Sequence, residues 1–402
     1  MALLSVSHHT GVLSLHRQGP SPRQLSARSQ AISTSSQAMA VLRHSQHRGV
    51  LPLRRHGPSP RQLLARSRTI SAPYQSTEED EMTEEDEKTE EDKKTEEDKK
   101  DSTPPPVSWV ERSLEAALPY ARLARLEKPI GSWLLAWPCM WSITMAAMPG
   151  TLPDFKLLAL LGFVCIPMRG AACTVNDYID RDFDKKVERT KNRPLASGVV
   201  TPTQGLYFLG FQLLLGLGLF FLLQLNNLSR VLGLIWLPLV SSYPLMKRLT
   251  FWPQAYLGLS FNWGALLGWA AIKDSLEPTV LLPMYIAGIC WTLVYDTIYA
   301  HQDKKDDLKI GVKSTAIRFG DSTKQWISAF GTATIGGLAL SGYNAGLAWP
   351  YYPFLTAAAA HLAWQISTVD LTDSADCNRK FVSNKWFGAL VFSAIFFGRL
   401  VA

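Results

Sequence analysis

Acid and lysine are both missing from the first 77 residues, which instead hold ten arginines; Glu78 is the first acidic residue. Serine is abundant there, and short apolar patches ("MALLSV", "GVLSL", "QLLARS") lie between the arginines. Positive, acid-free, potentially amphipathic sequence is the pattern of a mitochondrial presequence. The segment is duplicated: "HTGVLSLHRQGPSPRQLSARSQAIS" from His9 returns as "HRGVLPLRRHGPSPRQLLARSRTIS" from His47. Such a repeat is too short and too rich in Arg, Pro and Ser for a solenoid. A basic arm for nucleic acid is the competing reading, and no nucleic-acid partner is expected. Cysteine is scarce as well. Cys139, Cys165, Cys173, Cys290 and Cys377 fall singly, which excludes a paired-cysteine metal centre.

Apolar residues are almost absent from 77–100, "TEEDEMTEEDEKTEEDKKTEEDKK". With nothing to bury, this repeat reads as a solvated, disordered spacer, and the "PPP" at 104–106 stops any helix. It has no glycine to shape a calcium loop. The expected division is therefore a presequence at 1–76, an acidic linker at 77–106 and a membrane domain at 107–402.

That last region carries long uncharged runs. A transmembrane helix needs about twenty mostly apolar residues. Nine segments qualify as candidates: 129–148, 156–176, 204–224, 231–246, 254–272, 279–299, 325–343, 347–367 and 385–401. The expected fold is an all-α polytopic membrane protein, a bundle of about nine transmembrane helices. Lys and Arg near the alternate connections number 21 on one side and four on the other. Such asymmetry sets orientation, and with a mitochondrial address the charged side is the matrix.

Two aspartate stretches end on that side. "NDYIDRDFD" (176–184) follows the second segment, and "YDTIYAHQDKKDD" (295–307) closes the sixth. On a continuous helix Asn176, Asp180 and Asp184 share a face, with Asp177 beside it. Asp296, Tyr299, Asp303 and Asp307 share another. Facing carboxylates repel unless cations lie between them. Every candidate ligand is oxygen, which suits Mg²⁺ held by carboxylates and substrate phosphates. Arg125, Lys128, Lys191, Arg193, Lys247 and Arg248 lie near enough in sequence to bind an anion. Together these groups suggest a diphosphate with an apolar tail. An acidic helix end neutralised by Lys185, Lys186 and Arg189 is the plainer account of the first stretch alone. A cation-coupled transporter is the distant alternative, disfavoured because both stretches sit at one face.

"NDYIDRDFDKKVERTKNRPLASG" and "YDTIYAHQDKKDDLKIGVKSTAIRFG" resemble the two signature regions of UbiA-type intramembrane aromatic prenyltransferases. "ARLEKPIGSWLLAWPCMW" and "YPLMKRLTFWPQAYLGLSFNWGALLGW" are similar to the branch acting on 4-hydroxybenzoate in ubiquinone biosynthesis. The likeness runs from about residue 120 onward. It implies nine helices around a central cavity, in the mitochondrial inner membrane. It also implies transfer of a polyprenyl group from polyprenyl diphosphate to the ring carbon ortho to the hydroxyl of 4-hydroxybenzoate. By the same resemblance Asn176, Asp180, Asp184, Asp303 and Asp307 bind magnesium and diphosphate. The expected partners are both substrates, the lipid bilayer and other enzymes of ubiquinone biosynthesis. An acceptor of the haem or menaquinone branch is the nearer alternative.

Three roles are finer expectations. Asp296 accepts the phenol proton and Tyr299 shields the prenyl cation, simple packing being the other reading of Tyr299. Arg169 lies seven residues before Asn176, roughly 10 Å deeper along a helix. It is expected to hold the acceptor's carboxylate, against the alternative that it snorkels to the interface.

Overall fold

The computed structural model describes residues 109–402, so the expected presequence and acidic linker lie outside the described residues. Helices account for all the regular structure there. In chain order they are α1 (Trp109–Leu123), α2 (Ile130–Ala146), α3 (Phe155–Asp184), α4 (Pro194–Ser197), α5 (Pro202–Leu222), α6 (Asn227–Ser241), α7 (Tyr243–Leu249) and α8 (Pro253–Phe261). There follow α9 (Gly264–Lys273), α10 (Pro278–Ala300), α11 (Lys304–Ile310), α12 (Thr315–Phe319), α13 (Thr323–Asn344), α14 (Tyr351–Thr368) and α15 (Ser374–Leu400).

Every one of the nine apolar segments is helical, but not each as one span. Four helices, α3, α5, α10 and α15, are long and apolar enough to cross a membrane; α6 and α7 make a fifth if their 42° bend is one passage. The expected segment 231–246 breaks at Ser242, and 254–272 breaks at Asn262–Trp263 between α8 and α9. The second break has a visible cause. The buried Asn262 side chain donates back to the Gly258 carbonyl (2.8 Å) and across to Thr292 Oγ1 (3.0 Å).

Local chemistry starts these helices where they start. Asp154 caps α3 by accepting from the Leu157 N–H at 2.9 Å. Thr201 and Gln204 form a reciprocal capping box at α5, with Pro202 in the first turn. Asn226 caps α6 through the Ser229 N–H at 2.9 Å.

The core lies where α2, α10 and α15 meet. Trp141, Trp291, Tyr295 and Phe387 are fully buried there, with Trp291 5.3 Å from Trp141 and 5.0 Å from Phe387 between ring centroids. Their indole N–H groups are satisfied: Trp141 donates to the Gly388 carbonyl and Trp291 to Asn384. Elsewhere small residues let backbones touch. A side chain at Gly268 of α9 would strike Ser142 and the Cys139 carbonyl of α2, while one at Gly258 would meet the Ile289 backbone of α10 at 3.0 Å.

The length of α3 positions the site. Thirty residues at 1.5 Å rise make about 45 Å, against a hydrocarbon core of about 30 Å. The aspartates occupy its last three turns, past the length a bilayer needs. A small second core of Leu123, Leu195 and Val200, with Tyr120, Tyr178 and Phe208 against it, ties α1, α4 and the start of α5 to this end of α3.

Candidate active site

The first aspartate stretch is helical throughout, as its spacing requires. The second is not. α10 ends at Ala300, and Asp303 precedes α11 in a turn, so Asp296 and Tyr299 share no continuous helical face with Asp303 and Asp307. Two side chains compete with the backbone ladder at the break. His301 Nδ1 lies 2.9 Å from the Thr297 carbonyl, and Gln302 donates to the Tyr299 carbonyl at 3.1 Å.

Asp177 is the most deeply buried aspartate of the first stretch, at 1 % exposure, although its sequence position suggested a flank. Arg125 Nη2 donates to both its oxygens, at 2.6 and 2.8 Å, and Arg193 Nη1 reaches it at 3.0 Å. Arg193 also donates to Asp184 at 2.8 Å. Asp180 takes Lys247 at 3.3 Å and Arg248 at 3.2 Å. Arg125 holds its place at φ +58°, in the left-handed region. That conformation costs a non-glycine residue about 1–2 kcal/mol, of the size one charge-assisted pair returns.

Loop 185–193 brings the second stretch to the first. Arg189 donates to both Asp303 oxygens, through Nε at 2.7 Å and Nη2 at 2.5 Å, and through Nη1 to the Tyr299 hydroxyl at 2.9 Å. The Glu188 N–H reaches Asp306 at 3.3 Å. Arg189 keeps its side chain 32% exposed, and Tyr299 and Asp303 facing it hold the guanidinium above its usual range. Asp307 makes no such pair among the described residues. Burial first, then the negative charge of Asp303, pushes its carboxyl up to about 7.

The other expected residues divide. Asn176 is half-buried on α3, and Asp296 is half-buried on α10, where the cations acting on it are Lys247, Arg169 and Arg189. Tyr299 packs on Phe381, ring centroids 4.4 Å apart. Lys128 is exposed, and Lys191 pairs with Glu188 at 2.7 Å on the surface, so neither joins the carboxylates. Arg189 was legible from sequence only as a neutralising charge. The contact to Asp303, 114 residues away, has no local signature.

Arg169 stays inside. Its guanidinium lies 5.5 Å from the Phe261 ring centroid, contacts Cys173 Sγ, and abuts the Gly131 backbone so closely that a Cβ there would be 2.8 Å from Nη2. Its Nε is buried with no partner.

Among the described residues no three carboxylate, histidine or cysteine groups converge closely enough to hold a metal as they stand. The donor set nonetheless fits magnesium: oxygen ligands of high negative charge, with basic side chains interleaved.

Residues 135–394 match the UbiA prenyltransferase family. The chain belongs to that family. It is 65% identical over 293 residues to the mitochondrial 4-hydroxybenzoate polyprenyltransferase of Arabidopsis thaliana, covering 73% of this chain and 72% of that protein. Against 4-hydroxybenzoate geranyltransferase 2 of Lithospermum erythrorhizon the identity is 57%, over 73% of this chain and 95% of the relative. The human mitochondrial 4-hydroxybenzoate polyprenyltransferase is 56% identical, over 70% of this chain and 76% of that one. Among solved structures, the apo form of a UbiA homolog from Aeropyrum pernix K1 superposes with a TM-score of 0.54 at 20% identity, covering 64% of this chain and 95% of that one. A UbiA homolog from Archaeoglobus fulgidus bound to GPP and Mg²⁺ gives 0.53 at 16% identity, covering 69% and 99%. These two show the fold.

Proposed function

We propose that this UbiA-family member transfers an all-trans polyprenyl group from polyprenyl diphosphate to the carbon ortho to the hydroxyl of 4-hydroxybenzoate. The product is 3-polyprenyl-4-hydroxybenzoate, a ubiquinone precursor. The observation that carries the reading is the meeting of two aspartate stretches, through Arg189, in one basic-lined site at the end of an apolar helix bundle. The relatives named for 4-hydroxybenzoate supply the acceptor.

Arg125, Arg193, Lys247 and Arg248 bind the diphosphate. Their present pairing with Asp177, Asp180 and Asp184 keeps both signs compensated in a partly buried site. Lys128 and Lys191 drop out of that set on their exposure. Asn176, Asp177, Asp180, Asp184, Asp303 and Asp307 would hold magnesium. When bound, the metal would supply positive charge to offset the negative charge developing on the leaving diphosphate. The cationic side chains add to this, preorganised in a site of low dielectric. The Tyr299 ring presents a π face to the allylic cation. As the allylic C–O bond to diphosphate breaks, Asp296 takes the phenol proton, which enriches the ring, and the electrons of its ortho carbon form the new C–C bond; that carbon's proton then leaves, and Asp296 returns its proton to the oxygen, restoring the hydroxyl. The apolar bundle keeps water from the cation.

The direct test is purified protein with labelled 4-hydroxybenzoate and a polyprenyl diphosphate, with and without Mg²⁺. Magnesium-dependent prenylation of the ring is the expected result; transfer to haem or a naphthoate acceptor alone would replace the reading.

Nine passages, with the aspartate site facing the matrix of mitochondria and the membrane being the inner one, complete the proposal. Cysteines placed at Lys186, Lys247 and Lys305 should react with an impermeant thiol reagent only from the matrix side. Cys377 is fully buried and adds little background. Labelling at Lys247 from the intermembrane space would break the topology.

A further inference from the structure

Arg189 grips Asp303 with two nitrogens of one guanidinium, at 2.7 and 2.5 Å, and lies 5.1 Å from the Tyr299 ring centroid. It stands in a loop without regular helix between α3 and α4. At Asp180 of the first stretch, by contrast, Lys247 and Arg248 make single, longer contacts, at 3.3 and 3.2 Å, and Asp177 takes a short two-oxygen contact from one nitrogen of Arg125. A fork that closes on both oxygens of a carboxylate puts a full positive charge where a dication would approach. The two compete for the same oxygens, and like charges at such range repel strongly.

We infer that Arg189 is a positioning residue that stands in for the metal: it occupies the cation's place on Asp303 in the substrate-free enzyme and must withdraw before that carboxylate can ligate. The inference rests on the proposed role of Asp303 as a metal ligand. Withdrawal needs a new partner for the guanidinium, and the diphosphate provides one within the same site. Metal alone therefore binds weakly, and metal with diphosphate binds well. Coupling of this kind guards the site, because the second carboxylate stretch becomes competent only when the anion has arrived. Arg189 also holds Tyr299 through its hydroxyl at 2.9 Å, so its release frees the ring as well as the carboxylate.

Binding of Mn²⁺, an oxygen-preferring stand-in for magnesium, can be followed by loss of the free-ion EPR signal on full-length protein in nanodiscs without substrate. Arg189→Gln should tighten Mn²⁺ about tenfold or more, the equivalent of one lost charge-assisted pair. Arg189→Lys keeps the charge but not the fork, and should tighten it by about threefold. Lys186→Gln removes an exposed charge three residues away and should change binding by less than about twofold. With excess non-reactive diphosphate analogue the wild type should approach the Arg189→Gln value. Thermal unfolding reports whether each variant is folded; should Arg189→Gln fail, Arg189→Lys carries the comparison. Equal Mn²⁺ affinity in wild type and both Arg189 variants would overturn the inference, as would an equal gain in Lys186→Gln. Asp303→Asn separates the two levels. If it leaves Mn²⁺ binding unchanged in both wild type and Arg189→Gln, the metal role of Asp303 itself is wrong.

Discussion

Asp180→Ala and Asp303→Ala are each expected to abolish prenyl transfer, with turnover down by at least about 10³-fold, the scale seen when a preorganised electrostatic partner of the transition state is removed. The two losses arise differently. Asp180 is buried and holds Lys247 and Arg248, so its removal leaves two cations uncompensated as well as a ligand missing. Asp303 is held by Arg189 alone among the described residues, and its removal also takes away one tether of loop 185–193. Asn at either position keeps the shape and loses the charge, so Asp180→Asn and Asp303→Asn test the chemistry where alanine variants unfold. Asp306→Ala is the comparison. Its carboxylate pairs with exposed Lys309 at 3.0 Å and accepts from the Glu188 N–H, so it tethers the loop and faces no anion site. A loss of less than about tenfold is expected there. Near-normal turnover in either asparagine variant, with folded protein shown by its melting curve, would sink the two-stretch site.

What was legible in the sequence follows the physics of each signal. The path of α3 was readable because an apolar run passing into aspartates four apart is a single periodic pattern, and one helix carries it. The clustering of Arg125, Arg193, Lys247 and Arg248 was readable because each flanks an apolar segment whose end must lie at the same face. The second stretch misled. Offsets of 0, 3, 7 and 11 describe one helical face only if the helix continues, and the His301 and Gln302 side chains end it at Ala300. Propensity gives no warning of that, because both residues are tolerable within a helix.

The breaks at Ser242 and Asn262 are of the same kind. At each the side chain doubles a backbone bond and reaches a neighbouring helix: Ser242 donates to the Pro238 carbonyl through its N–H at 3.1 Å and its Oγ at 2.8 Å, and that Oγ lies 2.6 Å from the Tyr256 hydroxyl. In a bilayer such breaks are tolerated where neighbouring protein satisfies the freed groups, which depends on partners distant in sequence. Arg189 was hidden for a related reason. Nothing local distinguishes it from Lys185 and Lys186, which the structure leaves exposed. Only the return of α10 to the end of α3 selects one of the three.

Arg169→Met should raise the KM for 4-hydroxybenzoate between about tenfold and a hundredfold, the range expected for loss of one or two hydrogen bonds to a charged group. The KM for polyprenyl diphosphate should move little. A snorkelling arginine reaches for the interface, but this one is enclosed by Gly131 of α2, Cys173 of α3 and Phe261 of α8. No carboxylate among the described residues pairs with it, and its Nε is buried and unpartnered. A buried unpartnered donor on a permanent cation is costly, and a bound carboxylate would satisfy it. Gly131 makes the enclosure possible, since any larger residue would displace the guanidinium. In the proposed roles, an acceptor held by its carboxylate at Arg169 turns its hydroxyl toward Asp296. That aims the ortho carbon between the two. The same geometry predicts selectivity. Wild-type protein should prefer 4-hydroxybenzoate to 4-hydroxybenzyl alcohol, and Arg169→Met should narrow that preference by about the factor it adds to KM. Arg169→Lys keeps charge without the fork and should recover part of the affinity. If Arg169→Met retains full preference for the acid, or loses diphosphate affinity instead, the guanidinium serves the phosphate site or the scaffold, and the acceptor's carboxylate must be held elsewhere.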